Sequence, residues 1–239
     1  AAGVTVGVRV EVEMGMMRCG LPVGDELFEL ARLVDRLPGL ELEGVQFYPG
    51  QLWPLDADID GQLAAISASV AAVRAGFDRA GLPLGVVSGG TSPTLWRSHE
   101  VAGMNEIRPG TYVFNDRTQV ASGAFGWDDC AATVLVTVIS TPRPGFALVD
   151  GGSKSFSSDM AAHAPEGGHG RVVEAPGCRL IKLNEEHGHL DTSRAERPIR
   201  IGDRLRVIPN HVCVAVNLHE KIVAVRGDEV EHVWTVAGR

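Results

Sequence analysis

Apolar and other residues alternate along positions 4–13, the pattern of a strand. The spacing then changes. Residues 25–37 place Leu27, Leu30, Ala31, Val34 and Leu37 on one helical face, and Pro38-Gly39 stops that helix. Leu40–Gln46 reads as a second strand. Residues 58–79 set Leu63, Ile66, Val70, Val73 and Phe77 three and four apart, which predicts an amphipathic helix ended by Gly81-Leu82-Pro83. Leu84–Ser88 reads as a third strand followed at once by a glycine-bearing loop, and Glu106–Phe114 as a further strand entry. Strands alternating with helices predict βαβ units and a parallel sheet. Three or four such strands make at most half of an eight-stranded barrel, which takes about 250 residues.

The texture changes near residues 120–130. Helical periodicity gives way to short β-rich runs at Ala131–Ser140, Gly145–Val149, Arg171–Val173, Leu180–Leu183, Arg204–Ile208, Cys213–Leu218, Ile222–Arg226 and Val230–Val236. Gly, Pro, Asn and Asp punctuate them. The expected organisation is a partial TIM-type α/β barrel over 1–122 and a mainly β domain over 123–239. Residues 155–170, rich in Ser, Ala, Gly and His, read as a loop.

Composition narrows the function classes. The 239 residues are 44% hydrophobic with a net charge of −8 and no basic run, which argues against nucleic acid as a partner. No apolar stretch is long enough to span a membrane. The opening segment lacks the basic and apolar regions of a signal peptide. The four cysteines, Cys19, Cys130, Cys178 and Cys213, are far apart, so free thiols and a reducing cytoplasm are expected. The chain opens almost directly in a β-type run. That reads either as a short N-terminal strand or as a sign that upstream sequence is missing.

Five segments carry side chains suited to chemistry. Pro209-Asn210-His211-Val212-Cys213 lies between two expected strands; on an extended backbone His211 and Cys213 share a face, and imidazole plus thiolate suits Zn²⁺. His-x-Cys also arises by chance. Glu185-Glu186-His187-Gly188-His189 reads as a polar turn or as a source of acid/base groups. Ser88-Gly89-Gly90-Thr91-Ser92, at a strand's C-terminal end, has the glycines and hydroxyls of a phosphate cradle. Arg108-Pro109-Gly110-Thr111-Tyr112 offers N–H donors and a fixed cation, or a surface turn. Glu13–Gly20 places Arg18 at another strand end.

In order along the chain, Glu13-x-Gly15-Met16-x-Arg18-Cys19-Gly20, Gly44–Tyr48-x-Gly50, Ser88–Thr91 and Arg108–Phe114-x-Asp116 resemble the alanine racemase-type barrel. Asp150–Lys154, Glu185–Gly188 and Pro209–Cys213-x-x-Val216-Asn217-Leu218 resemble the C-terminal domain of D-serine dehydratases and D-threonine aldolases. The resemblance implies a fold-type III pyridoxal 5'-phosphate enzyme, usually a homodimer. It implies a lyase acting on small β-hydroxy D-amino acids, with a divalent metal, Zn²⁺ before Mn²⁺. It implies that Gly89, Gly90, Thr91, Gly110 and Thr111, with Tyr112 beside them, hold the cofactor phosphate. Tyr48 then packs on the pyridine face, Arg18 stands near the phenolic oxygen and Arg108 near the pyridine nitrogen. His211 and Cys213 become the metal ligands, with His187 or Glu186 assisting proton transfer. The His-x-Cys form favours the dehydratase branch; the aldolase branch more often has aspartate in place of the cysteine. The family's Schiff-base lysine lies on the first barrel strands, whereas this sequence has only Lys154, Lys182 and Lys221. The sequence is therefore read as a fragment; a metal-independent racemase and a non-catalytic remnant are the alternatives.

Overall fold

The computed structural model describes residues 3–161, 164 and 167–238. The chain divides into two compact units, residues 1–110 and 111–239.

In the first unit β1 (Val6–Glu11), β2 (Leu40–Gln46), β3 (Val86–Gly89) and β4 (Glu106–Ile107) pair in parallel in that order. α1 (Asp25–Arg36) and α2 (Ile59–Ala80) make crossovers. Along α2, Leu63, Ile66, Val70, Val73 and Phe77 are all buried, as their spacing predicts. Along α1 the expected stripe is wrong in part. Leu30 and Leu37 are exposed, and Leu27, Phe28, Ala31 and Val34 are buried. Phe28 meets Phe77 edge-on at 6.2 Å and fills the space over Gly76, which turns the helix toward that side and leaves the two leucines on its flank. The strand expected over Glu106–Phe114 ends at Ile107; Pro109 has no N–H for a ladder, and a 3-10 turn follows at Thr111–Val113.

The sheet has two unlike faces. Leu42, Val45, Phe47, Val10 and Val87 join the apolar core with the helices. Arg9, Glu43, Gln46, Ser88 and Glu106 bond to one another or to their neighbours instead. Strict alternation would not keep Leu42 with Val45, three positions on. A bulge reconciles them: pairing runs Val8 with Leu42 and then Arg9 with Gly44, so Glu43 has no partner in the ladder. Gly44 sits at φ 149, where a Cβ would lie 2.0 Å from the carbonyl oxygen of Val86, so only glycine fits there.

In the second unit six antiparallel strands close a barrel in the order β10-β5-β6-β9-β8-β7. They are β5 (Val134–Arg143), β6 (Phe146–Val149), β7 (Gly170–Val172), β8 (Arg179–Leu183), β9 (Gly188–Asp191) and β10 (Arg204–Pro209). Val136, Val138, Val149, Phe156, Leu180, Leu190 and Leu205 are among the residues filling it. A separate hairpin joins β11 (Lys221–Arg226) to β12 (Glu229–Thr235). α3 (Arg117–Ala121) precedes the barrel, α4 (Ser153–Phe156) follows β6, and α5 (Val212–Leu218) follows β10. Two expectations are corrected here. Residues 213–218 form a helix rather than a strand, because Asp116 accepts from Val212 N and fixes the first turn. Gly188 and His189, expected in a polar turn, begin β9, with Gly188 pressed against the carbonyl oxygen of Gly151. The loop expected over 155–170 falls partly outside the described residues. No helix among the described residues is long and apolar enough to cross a membrane.

Candidate functional site

The candidate residues fall in both units. Arg18, Tyr48, Gly89, Gly90, Thr91, Arg108 and Gly110 belong to the first; Thr111, Tyr112, Glu186, His187, His211 and Cys213 to the second.

In the first unit Gly89 closes β3 and Gly90 turns the chain at φ 80. A Cβ on Gly89 would lie 2.3 Å from Phe47 Cζ, so the strand end reaches its place only as glycine. The Thr91 hydroxyl is buried and lies 2.9 Å from that of Thr94, while Thr94 N donates to it. Gly110 has open space where a side chain would stand. Arg108 is locked: Nη2 donates to the Phe47 carbonyl at 2.9 Å and Nη1 to the Ser88 hydroxyl. Ser88 in turn donates to Glu106, which also accepts from Arg9. The Ser88 and Arg9 bonds hold the Glu106 carboxyl below its usual pKa, and burial pulls Arg108 below the usual arginine value. Arg18 lies over the Tyr48 ring, 4.5 Å from its centroid. Gly50 lets that ring rest against the backbone, since a Cβ there would be 2.3 Å from Tyr48 Cε1.

In the second unit His211 stands at the N-cap of α5 with an extended backbone and Cys213 in its first turn. The two do not share an extended strand, as their spacing alone predicts. Their side chains are nevertheless near enough for each to shift the titration of the other. His211 Nδ1 is 2.9 Å from Asp159 Oδ2, and Cys213 Sγ is 3.6 Å from Thr111 Oγ1. The interaction with Cys213, joined by the bond to Asp159, pushes the imidazole pKa up to about 9; the interaction with His211 lowers that of the thiol. Cys130 and Cys178 go the other way, pushed up to about 11 by burial. Below these side chains, Asp116 is fully buried and accepts from Gln119 N and Val212 N at 2.9 Å each. Burial raises its pKa and those bonds oppose the rise.

Among the described residues no group of three His, Cys, Asp or Glu side chains is placed to hold a metal. His211 and Cys213 could hold an ion such as Zn²⁺ through two ligands of suitable type, which would leave positions open, and His211 Nδ1 already meets the Asp159 carboxylate. The pair therefore fits a catalytic ion. The glycine turn and the fixed Arg108 fit the non-covalent contacts of pyridoxal phosphate. A covalent link does not fit: residues 1–153 contain no lysine, and Lys154 Nζ is 2.7 Å from Glu186 Oε1. Glu186 and His187 are both exposed, on the turn before β9. Asp159, Asp116 and Arg117 received no role from the sequence. Asp159 sits in a stretch without periodicity, and buried arginine contacts leave no mark in a linear pattern.

The profile of the alanine racemase N-terminal domain matches residues 1–118, and that of the serine dehydratase domain matches residues 131–225. The chain belongs to the D-serine dehydratase-like family. This member is 30% identical to the D-threonine aldolase of an Arthrobacter species over all of the chain and 62% of the relative. It is 29% identical to the 3-hydroxy-D-aspartate aldolase of Paracoccus denitrificans over 99% of the chain and 61% of the relative. The chain thus spans about three fifths of the length of these relatives. Among solved structures, the D-threo-3-hydroxyaspartate dehydratase of Delftia sp. superposes with a TM-score of 0.85 and 29% identity, over 96% of this chain and 65% of the other. In that dehydratase a histidine and a cysteine two positions apart have each been changed to alanine, and the cysteine variant was solved in a metal-free form. The family has an alanine racemase-like fold with a β-rich C-terminal domain, as the motifs imply.

Proposed function

We propose that this chain belongs to a pyridoxal phosphate- and divalent metal-dependent lyase acting on β-hydroxy D-amino acids, working as a homodimer. The reaction is dehydration, as of D-serine to pyruvate and ammonia, or aldol cleavage, as of D-threonine. In this reading the four-stranded sheet is part of a TIM-type barrel. The observation that carries the proposal is the His211–Cys213 pair, with Asp159 on the far ring nitrogen and ligand positions to spare. The histidine and cysteine altered in the Delftia dehydratase, at the same spacing, support it.

Pyridoxal phosphate supplies an electron sink, and a metal ion held by His211 and Cys213 a Lewis acid at the β-hydroxyl. The chain's own residues do the rest. Gly89, Gly90, Thr91 and Gly110 bring backbone close to the phosphate, with Thr111 and Tyr112 following. Arg108, fixed by Phe47 and Ser88, presents a permanent cation to the pyridine nitrogen, which keeps that nitrogen unprotonated. Tyr48 stacks on the ring face and is itself backed by Arg18. His187 or Glu186 moves the proton at the reacting carbon; Glu186 first has to leave Lys154.

The test uses the complete enzyme, stripped with EDTA and reloaded with Zn²⁺ or Mn²⁺. Pyruvate release from D-serine and aldehyde release from D-threonine should fall together and return with the metal. Undiminished turnover after chelation sinks the proposal.

A further inference from the structure

We propose that Asp159 is the positioning residue of the metal pair: it fixes the ring of His211 so that the other nitrogen faces the ion shared with Cys213. The inference rests on the metal reading above and assigns a role to a residue outside the ligand pair. A carboxylate only accepts, so the 2.9 Å contact with Asp159 Oδ2 puts a proton on Nδ1, and in the neutral ring Nε2 carries the lone pair.

Two contacts hold Asp159 there, through Ser157 and Asn210, and Arg117 and Thr118 brace the second. Ser157 is a non-glycine residue at φ 67, and its hydroxyl accepts from Asp159 N at 3.1 Å. Left-handed backbone of this kind persists only where the surroundings enforce it. Asn210, the neighbour of His211, donates from Nδ2 to the Asp159 carbonyl and to the Gly168 carbonyl, both at 2.8 Å. Arg117, buried in the same unit, donates to Asn210 Oδ1 at 3.1 Å, to the Gly168 carbonyl at 3.2 Å and to the Gly167 carbonyl at 2.6 Å. Thr118 completes the bracket by donating from its hydroxyl to the Asn210 carbonyl at 2.7 Å. One side chain, Asn210, therefore ties the backbone of residue 159 to the segment that carries His211. That shared anchor is what a fixed carboxylate–imidazole distance requires.

Co²⁺ titration of the full-length protein, read by its thiolate charge-transfer and ligand-field bands and by competition with a chromophoric chelator, tests this. Asp159→Ala should weaken Co²⁺ binding roughly 10- to 100-fold, the range for outer partners of ligating histidines. It should leave the melting temperature of the metal-free protein unchanged. Asp159→Asn, which still accepts from Nδ1, should recover most of the affinity and the wild-type spectrum. Wild-type affinity and bands in Asp159→Ala overturn the inference and leave the metal reading standing. An Asp159→Asn protein as weak as Asp159→Ala, with altered ligand-field bands, overturns it in favour of direct ligation by Asp159. A wild-type protein that binds no Co²⁺ removes both the inference and the metal reading beneath it.

Discussion

In the first unit the strand ends that carry Gly89 and Arg108 are set by a sheet packed on one face with Val45, Phe47 and Val87 against α1 and α2. In the second unit His211 and Cys213 stand beyond the last barrel strand and are set by Asp116, Arg117, Asn210 and Asp159. Apolar packing tolerates small changes in shape and loses stability by degrees. A buried polar network holds geometry only while every member is satisfied. Core substitutions in the first unit should therefore shift stability, and polar substitutions in the second should shift chemistry.

The largest effect expected is Phe77→Ala. It empties the space between α2 and Phe28 and should cost about 3–5 kcal/mol in urea unfolding of the first unit. Co²⁺ binding of the protein that remains folded should not change. Asp116→Ala comes next. It leaves two buried N–H groups unpaired and should cost about 1–3 kcal/mol, and here metal binding should fall as well. The pH dependence of this group has a definite sign. Its folded pKa lies above the unfolded one, so its contribution to stability is complete below the unfolded value and is lost as pH rises through the folded value. The gap between wild type and Asp116→Ala should then narrow from acid to neutral pH; a widening gap would show that the two N–H bonds dominate burial.

Two smaller effects concern the pair itself. In metal-free protein Cys213 should react with iodoacetamide at a pH below the ordinary thiol range, and His211→Ala should move that profile up toward it. Zn²⁺ affinity should rise with pH by about tenfold per unit until His211 is deprotonated, since one proton competes for the ring; the plateau should fall near 9. The smallest effect is on Glu186→Gln, an exposed partner of Lys154, which should leave the melting temperature unchanged. A loss of turnover in that variant would then report proton transfer rather than folding.

Much of the first unit was legible in the sequence, because helical spacing and parallel strands leave a periodic trace: α2 and β2 fall where the pattern puts them. Five of the six antiparallel strands of the barrel were also readable; β9 was not, because Gly188 and His189 sit in a polar stretch that reads as a turn. The helix at 212–218 was not, since Val212, Val214, Val216 and Leu218 alternate like a strand, and a distant carboxylate, Asp116, decides the matter. The proposed pair, His211 and Cys213, stands out in the sequence by residue type. Its support does not, because Asp159 lies 52 positions from His211 and Arg117 lies 93 from Asn210.

Glu43 lies outside the ladder and yet sets the phase of everything after it in β2. Drawing Glu43 into the ladder as an ordinary paired residue would carry Gln46 round to the helices and Val45 round to the charged side, turning the strand inside out without changing its composition. Homologous chains should therefore set these two apolar positions, Leu42 and Val45, either three apart with a bulge or two apart without one, and removing Glu43 together with the bulge should leave Val45 facing the helices.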